Sequence, residues 1–228
     1  MKKFLSLVLA LIMTMSLVTI SAGAKDFTDA DEVNYDEAID VLSALKVVEG
    51  YPDESFKPAK TLTRAEAAKI ICNMILGPTT AAALSASVAP FSDVAADNWA
   101  AGYITYCAQQ GIIAGYGNGA FGPTDTLTGY QFMKMLLTAL GYDAKIEGYV
   151  GTNYSIPVAK QAANLGLSKG LKETFNGNEP VTREEACLYA LNTLKADLVE
   201  YRTSLTVTNG ALDTLNVAKA QKWNNSAT

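Results

Sequence analysis

Residues 50–58 read Gly50-Tyr51-Pro52-Asp53-Glu54-Ser55-Phe56-Lys57-Pro58, and they lead into Thr63-Arg64-Ala65-Glu66 and the apolar positions Ala67, Ile70, Ile71 and Met74. That apolar set follows the i, i+3, i+4, i+7 spacing of one buried helix face. Thr63 and Glu66 form a capping box, in which the Thr oxygen takes the third helical amide and the Glu side chain returns to the Thr amide. Upstream, Ala38, Val41, Leu42 and Leu45 mark the face of an earlier helix. Between the two, Gly50 offers a backbone free to take positive φ, Pro52 fixes another residue, and Pro58 bars helix until after it. The stretch predicts helix, turn, helix.

The same order recurs downstream. Gly50 to Gly115, Phe56 to Phe121, Pro58 to Pro123 and Thr63 to Thr128 are each separated by 65 positions. A third, more worn copy follows, because Gly111 to Gly166, Gly115 to Gly170 and Trp99 to Tyr154 are each separated by 55. Its helix starts at Val181-Thr182-Arg183-Glu184-Glu185, so Thr128/Gln131 and Thr182/Glu185 supply two further capping boxes. Self-similarity at this pitch defines a repeat protein. The apolar faces continue through Phe132, Met135, Leu136 and Ala139 in the second copy and through Ala186, Tyr189, Ala190 and Leu194 in the third. The fold expected is all-α, with three helix-turn-helix repeats.

The flanks have their own signatures. Lys2 and Lys3 precede the apolar run Phe4 to Ile20, which Ala22-Gly23-Ala24 closes, the layout of a secretory signal peptide cut after Ala24. The expected order is a leader over 1–24, a first repeat over 25–77, an Ala/Ser/Thr-rich linker or short helix over 78–90, a second repeat over 91–142, a degenerate third over 143–197, and a tail over 198–228. In the tail, Leu205-Thr206-Val207-Thr208, Asn209-Gly210 and Ala211-Leu212 read as a β-hairpin with a type I′ turn. An isolated hairpin is marginal in water, so it either docks on the helices or begins a further domain.

Composition excludes much chemistry. The 228 residues are 49% hydrophobic and carry 18 basic against 23 acidic side chains, two of the basic ones in the leader. An acidic chain without a Lys/Arg cluster is a poor partner for nucleic acid or an anionic lipid surface. With no histidine, imidazole-dependent hydrolysis and histidine metal sites are gone. Cys72, Cys107 and Cys187 lie among apolar residues at wide spacing, which suits small buried hydrophobes better than a metal site. One pair could still bridge in an oxidising setting. No metal ligand set and no cofactor motif is expected: Gly115-x-Gly117-x-Gly119 follows a helical pattern and lacks phosphate-loop spacing, and the acidic loop lacks the calcium-loop ligand order. After the leader, no stretch approaches the ~18 to 20 apolar residues that cross a bilayer.

Arg64 and Arg183 stand out because a cation at the first helical position opposes the helix macrodipole. A residue that works against local stability is a candidate for function. Beside a helix N-terminus with free N–H groups pointing outward, such an arginine makes a local anion site even on an acidic protein. Trp99, Tyr51 and Tyr116 can stack on the apolar faces of sugar rings, and Gly50 and Gly115 can let a ligand approach the backbone. Asp29 and Asp93 serve either turn bonding and capping or ligand contact. For the aromatics and glycines, turn geometry and core packing are the competing roles. Phe27, Phe56, Phe91 and Phe121 are assigned to packing.

At these residues the pattern resembles the S-layer homology module, whose copies read F-x-D, W or Y with A-I, then G-I-x-x-G-Y-x-D-G-x-F-x-P, then I/L-T-R-A-E. The resemblance covers residues 26–197. It implies a pseudo-threefold unit with one helix of each copy in a central bundle and the rest projecting as prongs. It further implies grooves between copies that hold an acidic secondary cell-wall polysaccharide attached to peptidoglycan, often ending in a pyruvylated amino sugar. The role implied is non-covalent anchoring of a secreted surface or S-layer protein to the cell wall. The polysaccharide-binding residues expected are Arg64, Arg183, Asp29, Asp93, Trp99, Gly50, Tyr51, Gly115 and Tyr116. Gly129-Tyr130 replaces Arg-Ala in the second copy, so the groove that depends on that cation is expected to bind an anion poorly. The third copy lacks F-x-D, and its turn is cut to Leu171–Asn178.

Two other classes compete. A glycoside hydrolase working with two carboxylates would draw on Asp29, Asp31, Glu32, Asp36 and Glu37, which fall where acidic residues favour the helix dipole anyway. A protein-binding scaffold would hold neighbouring S-layer subunits and have no polysaccharide affinity.

Overall fold

The computed structural model describes residues 27–201 together with the strand segments 203–208, 211–217 and 221–222. The expected leader over 1–24 lies outside the described residues. The helices are α1 (Asp36–Ala44), α2 (Arg64–Leu76), α3 (Pro78–Ala82), α4 (Ala101–Gln109), α5 (Gly129–Ala139), α6 (Ser155–Leu165) and α7 (Arg183–Leu194). α3 is the short helix of the Ala-rich segment, with Pro78 at its start, where a missing N–H costs nothing. All three capping boxes form, with both reciprocal bonds present at Thr63/Glu66, Thr128/Gln131 and Thr182/Glu185.

The second helices of the repeats, α2, α5 and α7, form the centre, with α5 packed on both α2 and α7. Each first helix packs on the second helix of the preceding repeat: α4 on α2, α6 on α5, and α1 back on α7. The last contact closes the chain into a ring. At the axis, three backbone bonds run head to tail: Leu62 N–H donates to Val181 O at 2.9 Å, Val181 N–H to Leu127 O at 3.0 Å, and Leu127 N–H to Leu62 O at 3.3 Å. All three side chains are buried. A buried amide without a partner would cost about 1–3 kcal/mol, so each repeat depends on both others.

Phe27 and Phe91 pack on Phe56 and Phe121 with ring centroids 5.2 and 5.3 Å apart. These packings revise one expectation about the turns. Gly50 and Gly115 do not adopt positive φ. A side chain at Gly50 would meet the Phe27 ring at 2.5 Å, and one at Gly115 the Phe91 ring at 2.7 Å, so close approach is what demands glycine there. Positive φ falls instead on Lys46, Glu54 and Lys57 in the first repeat and, 65 positions on, on Gly111, Gly119 and Gly122 in the second.

In the tail, β1 (Val199–Glu200) pairs with β4 (Gln221–Lys222), and β2 (Thr203–Thr208) pairs antiparallel with β3 (Ala211–Val217). The pairing Thr208 with Ala211 is that of a two-residue hairpin, while the linking residues 209 and 210 lie outside the described residues. The start of the tail is docked on the helices. Val199 N–H donates to Leu140 O at 2.9 Å, Tyr201 Oη accepts from Asp143 N–H at 2.9 Å, and it donates to Glu147 Oε1 at 2.9 Å.

Candidate functional site

The first-turn amides of α2, α5 and α7 do not point outward as free donors. Arg64 N–H and Ala65 N–H donate to Asp125 O and Pro123 O, Gly129 and Tyr130 to Glu179 O and Gly177 O, and Arg183 and Glu184 to Lys60 O and Pro58 O. The third amide of each helix is held by the capping threonine. The expected helix-terminus anion site is therefore absent here, because the turn of the next repeat already occupies it. Any attraction for an anion must come from side-chain cations.

The two arginines leave their helices toward the same turns. Arg183 Nε donates to Phe56 O at 3.0 Å and Nη2 to Glu49 O at 3.1 Å, with the guanidinium 4.8 Å from both the Tyr51 and the Phe56 ring centroids. Arg64 repeats this one repeat on: Nε to Phe121 O and Nη2 to Ala114 O, both at 2.8 Å, with Tyr116 and Phe121 at 4.9 and 4.3 Å. Planar donors in a fixed fork suit paired carbonyls, and the flat cation stacks on aromatic faces. The unfavourable dipole position is thus offset by contacts between repeats. Each arginine is a structural tie between repeats, and Arg183 is buried.

Asp29 and Asp93 hold the turns. Asp29 accepts from Phe56 N–H at 2.8 Å and Lys57 N–H at 2.7 Å, and Asp93 from Phe121 N–H at 2.8 Å and Gly122 N–H at 2.7 Å. Those two amide bonds lower the Asp93 carboxyl below the usual range.

One groove, of about 300 Å³, gathers much of the expected set. Arg183, Gly50, Tyr51 and Trp99 line it, joined by Glu49, Glu66, Lys69 and Ile70. It draws on all three repeats, and Trp99 is 59% exposed at its rim. Lys69 Nζ lies 3.3 Å from Glu49, while Lys60 Nζ lies 2.7 Å from Glu66 and donates to Tyr51 Oη at 2.8 Å. Burial opposes the Lys60 charge, but its bonds to Glu66 and Tyr51 outweigh that and raise its pKa.

Arg64, Gly115 and Tyr116 take the equivalent positions one repeat on, where Asp93 holds the turn amides of Phe121 and Gly122. There Tyr116, 53% exposed, donates to Asp125 at 2.7 Å, and Lys134 Nζ sits 5.6 Å from the Tyr154 ring centroid. Lys134 stands 65 positions from Lys69, and Tyr154 stands in the slot of Trp99. In the third position there is no arginine. A side chain on Gly129 would meet Phe175 at 3.0 Å and Gly177 at 3.1 Å, and the Tyr130 ring packs edge-on to Phe175 at 5.5 Å. Lys69, Lys134, Glu49 and Glu66 were not singled out as binding residues by sequence. The shared spacing of the two lysines was the available signal, hidden because each sits on a helix that already reads as core.

A larger cavity, of about 530 Å³, lies at the far ends of α4 and α5 beside β1, lined by Ile75, Ile112, Leu140, Tyr142 and Val199 among others. Neither arginine reaches it. Among the acidic residues proposed for hydrolysis, Asp29 is committed to turn amides and Glu37 lies 3.3 Å from Lys195.

The sequence profile of the S-layer homology domain matches residues 26–68, 90–133 and 150–187. The chain belongs to the S-layer homology family. A surface layer protein of Brevibacillus choshinensis is 28% identical over 207 residues, spanning 90% of this chain and 18% of that protein. A cellulosome-anchoring protein of Acetivibrio thermocellus is 34% identical over 154 residues, spanning 61% of this chain and 33% of that protein. A protein of Bacillus anthracis named as an uncharacterized cell wall amidase is 27% identical over 191 residues, spanning 81% of this chain and 35% of its own length. The chain thus spans between 18% and 35% of these relatives. Among the described residues no helix is long and apolar enough to cross a membrane.

Proposed function

We propose that this S-layer homology chain is secreted and anchors a surface or S-layer protein to the cell wall by holding an acidic secondary cell-wall polysaccharide in its inter-repeat grooves. The observation that carries it is the pairing, in two of the three positions, of a guanidinium and a lysine with exposed aromatic faces. A carboxylate-bearing sugar needs that combination: a cation for the charge and a flat apolar surface for the ring. Arg64 and Arg183 supply the cations, Trp99, Tyr51 and Tyr116 the stacking faces, and Asp29, Asp93, Gly50 and Gly115 the shape of the turns. The name of the cellulosome-anchoring relative supports an anchoring role. On this view the chain binds and does not catalyse, and a pyruvylated amino sugar is one ligand that fits.

The test is co-sedimentation of the processed protein with purified sacculi, run beside sacculi stripped of their secondary polymer by acid. Binding to intact sacculi alone is expected. Equal binding to both, or to neither, would instead leave the repeats as an assembly scaffold for neighbouring subunits. Because both arginines also tie repeats together, each variant's melting temperature must accompany its binding result.

A further inference from the structure

We propose that the two arginine-bearing grooves are unequal, and that the Arg64 groove, through Lys134, is the one that selects a carboxylate, whereas the matching lysine of the Arg183 groove is already engaged by Glu49. This rests on the polysaccharide role of these grooves and assigns the charge recognition within it.

The two grooves are built on one plan, so their differences can be read position by position. Where the Arg183 groove has Glu49, the Arg64 groove has Ala114. Where it has the Lys60–Glu66 pair, the other has Asp125 and Gln131. The lysine is common to both, as Lys69 and Lys134. Lys69 lies 3.3 Å from the Glu49 carboxylate. Glu49 both engages that lysine and sets a negative charge at the mouth of the groove, where an incoming anion would meet it.

Lys134 has no such neighbour. Among the described residues no carboxylate lies within ion-pair distance of it, and its ammonium sits against the Tyr154 ring. It is half-buried, and burial followed by the positive charge of Arg64 lowers its pKa. A lysine held in a partly desolvated place without a carboxylate partner has its charge uncompensated. An anion bound at Lys134 relieves that, and gains more than it would from the same lysine in water. The acids that act on Arg64 keep their charge, Asp93 under two turn amides and Asp125 beside Tyr116, and they favour the Arg64 charge while leaving Lys134 as the cation with no carboxylate partner among the described residues. The ligand expected is a compact carboxylate carried on a sugar whose ring lies on Tyr154 or Tyr116.

Titration with sodium acetate, referenced to sodium chloride at equal ionic strength, tests this without the polymer. Side-chain ammonium resonances of Lys134 and Lys69 are followed in the isotope-labelled processed protein. A saturable shift at Lys134, with Lys69 following only the chloride control, is expected. Equal shifts, a shift at Lys69 alone, or no saturable shift overturns the proposal.

Two variants extend the test to sacculi. Lys134→Met, which keeps the apolar stem over Tyr154, should weaken binding by about tenfold, and Lys69→Met by less than about threefold. Glu49→Gln, at an exposed position, should give Lys69 an acetate response it lacks in the parent. Failure of that gain counts against the assignment even if Lys134→Met proves unstable. If the parent does not bind sacculi at all, the anchoring role fails, while the acetate result still decides which groove holds the charge.

Discussion

Arg183 Nε donates to the carbonyl of Phe56 at 3.0 Å across 127 positions of sequence, joining the last repeat to the first. The guanidinium is buried against the Tyr51 and Phe56 rings, and among the described residues its two carbonyl partners accept no other backbone hydrogen bond. Arg183→Ala should therefore lower stability by about 2–3 kcal/mol, since hydrogen bonds from charged groups contribute about 1.5–3 kcal/mol and the carbonyls are left bare. Arg183→Lys should recover less than half of that, because an ammonium cannot reproduce the fork. Urea denaturation of the two variants against the parent measures both.

The first turn carries strain that the second avoids. Glu54 has φ 64°, and its equivalent, Gly119, has φ 87°. Glu54→Gly should raise the urea midpoint by about 0.5–1 kcal/mol equivalent, because L-residues in the left-handed region cost about 1–2 kcal/mol and glycine returns part of that as unfolded-state entropy. The reverse change, Gly119→Glu, should lower the midpoint by a similar amount.

Restoring the family arginine to the third groove should fail. A Cβ at position 129 lies 3.0 Å from Phe175 and 3.1 Å from the Gly177 backbone, so Gly129→Arg requires both to give way, and overpacking of this kind costs about 1–3 kcal/mol. The expected outcome is a less stable protein with no gain in sacculus binding. A gain in binding at unchanged stability would show that Tyr130 and Phe175 yield more readily than their packing implies.

Stability should fall on the alkaline side. Burial pushes the Cys187 thiol from 9.0 up to about 12, and burial also raises Tyr149 and Tyr189. Each group is bound to its proton more tightly in the folded state than in the unfolded one. Their contribution is complete below about pH 9 and drains away as pH climbs toward 12. Thermal melts between pH 8 and about 11 should show a progressive decline, and Cys187→Ala should remove part of the slope. Native protein should also react slowly with a thiol reagent below pH 9, since all three cysteines are buried.

Much of this was legible in the sequence because it is local. The Thr63, Thr128 and Thr182 capping boxes and the apolar faces of α2, α5 and α7 depend on residues within a turn or two of each other. Periodicity names a face but not its partner, so it could not say that α1 would pack on α7. The arginines stand out in the sequence by their conflict with the helix dipole, and that conflict is resolved by carbonyls of another repeat that no local pattern reveals. Gly50 is expected from the sequence to take positive φ, but what demands glycine there is the Phe27 ring, a contact across 23 positions. Lys134 and Glu49 acquire meaning only when two grooves can be laid over each other.

The Leu62–Val181–Leu127 triangle of backbone bonds bears on how such a unit can evolve. An open stack of repeats grows or shrinks by whole units and needs only a polar cover at each end. A closed triangle has no end to cover and no place to insert a fourth member. Loss of any one copy would leave two strangers facing each other with unmatched amides and carbonyls. A worn copy such as the third can therefore lose its F-x-D and part of its turn and still be retained, because its backbone holds the other two in place.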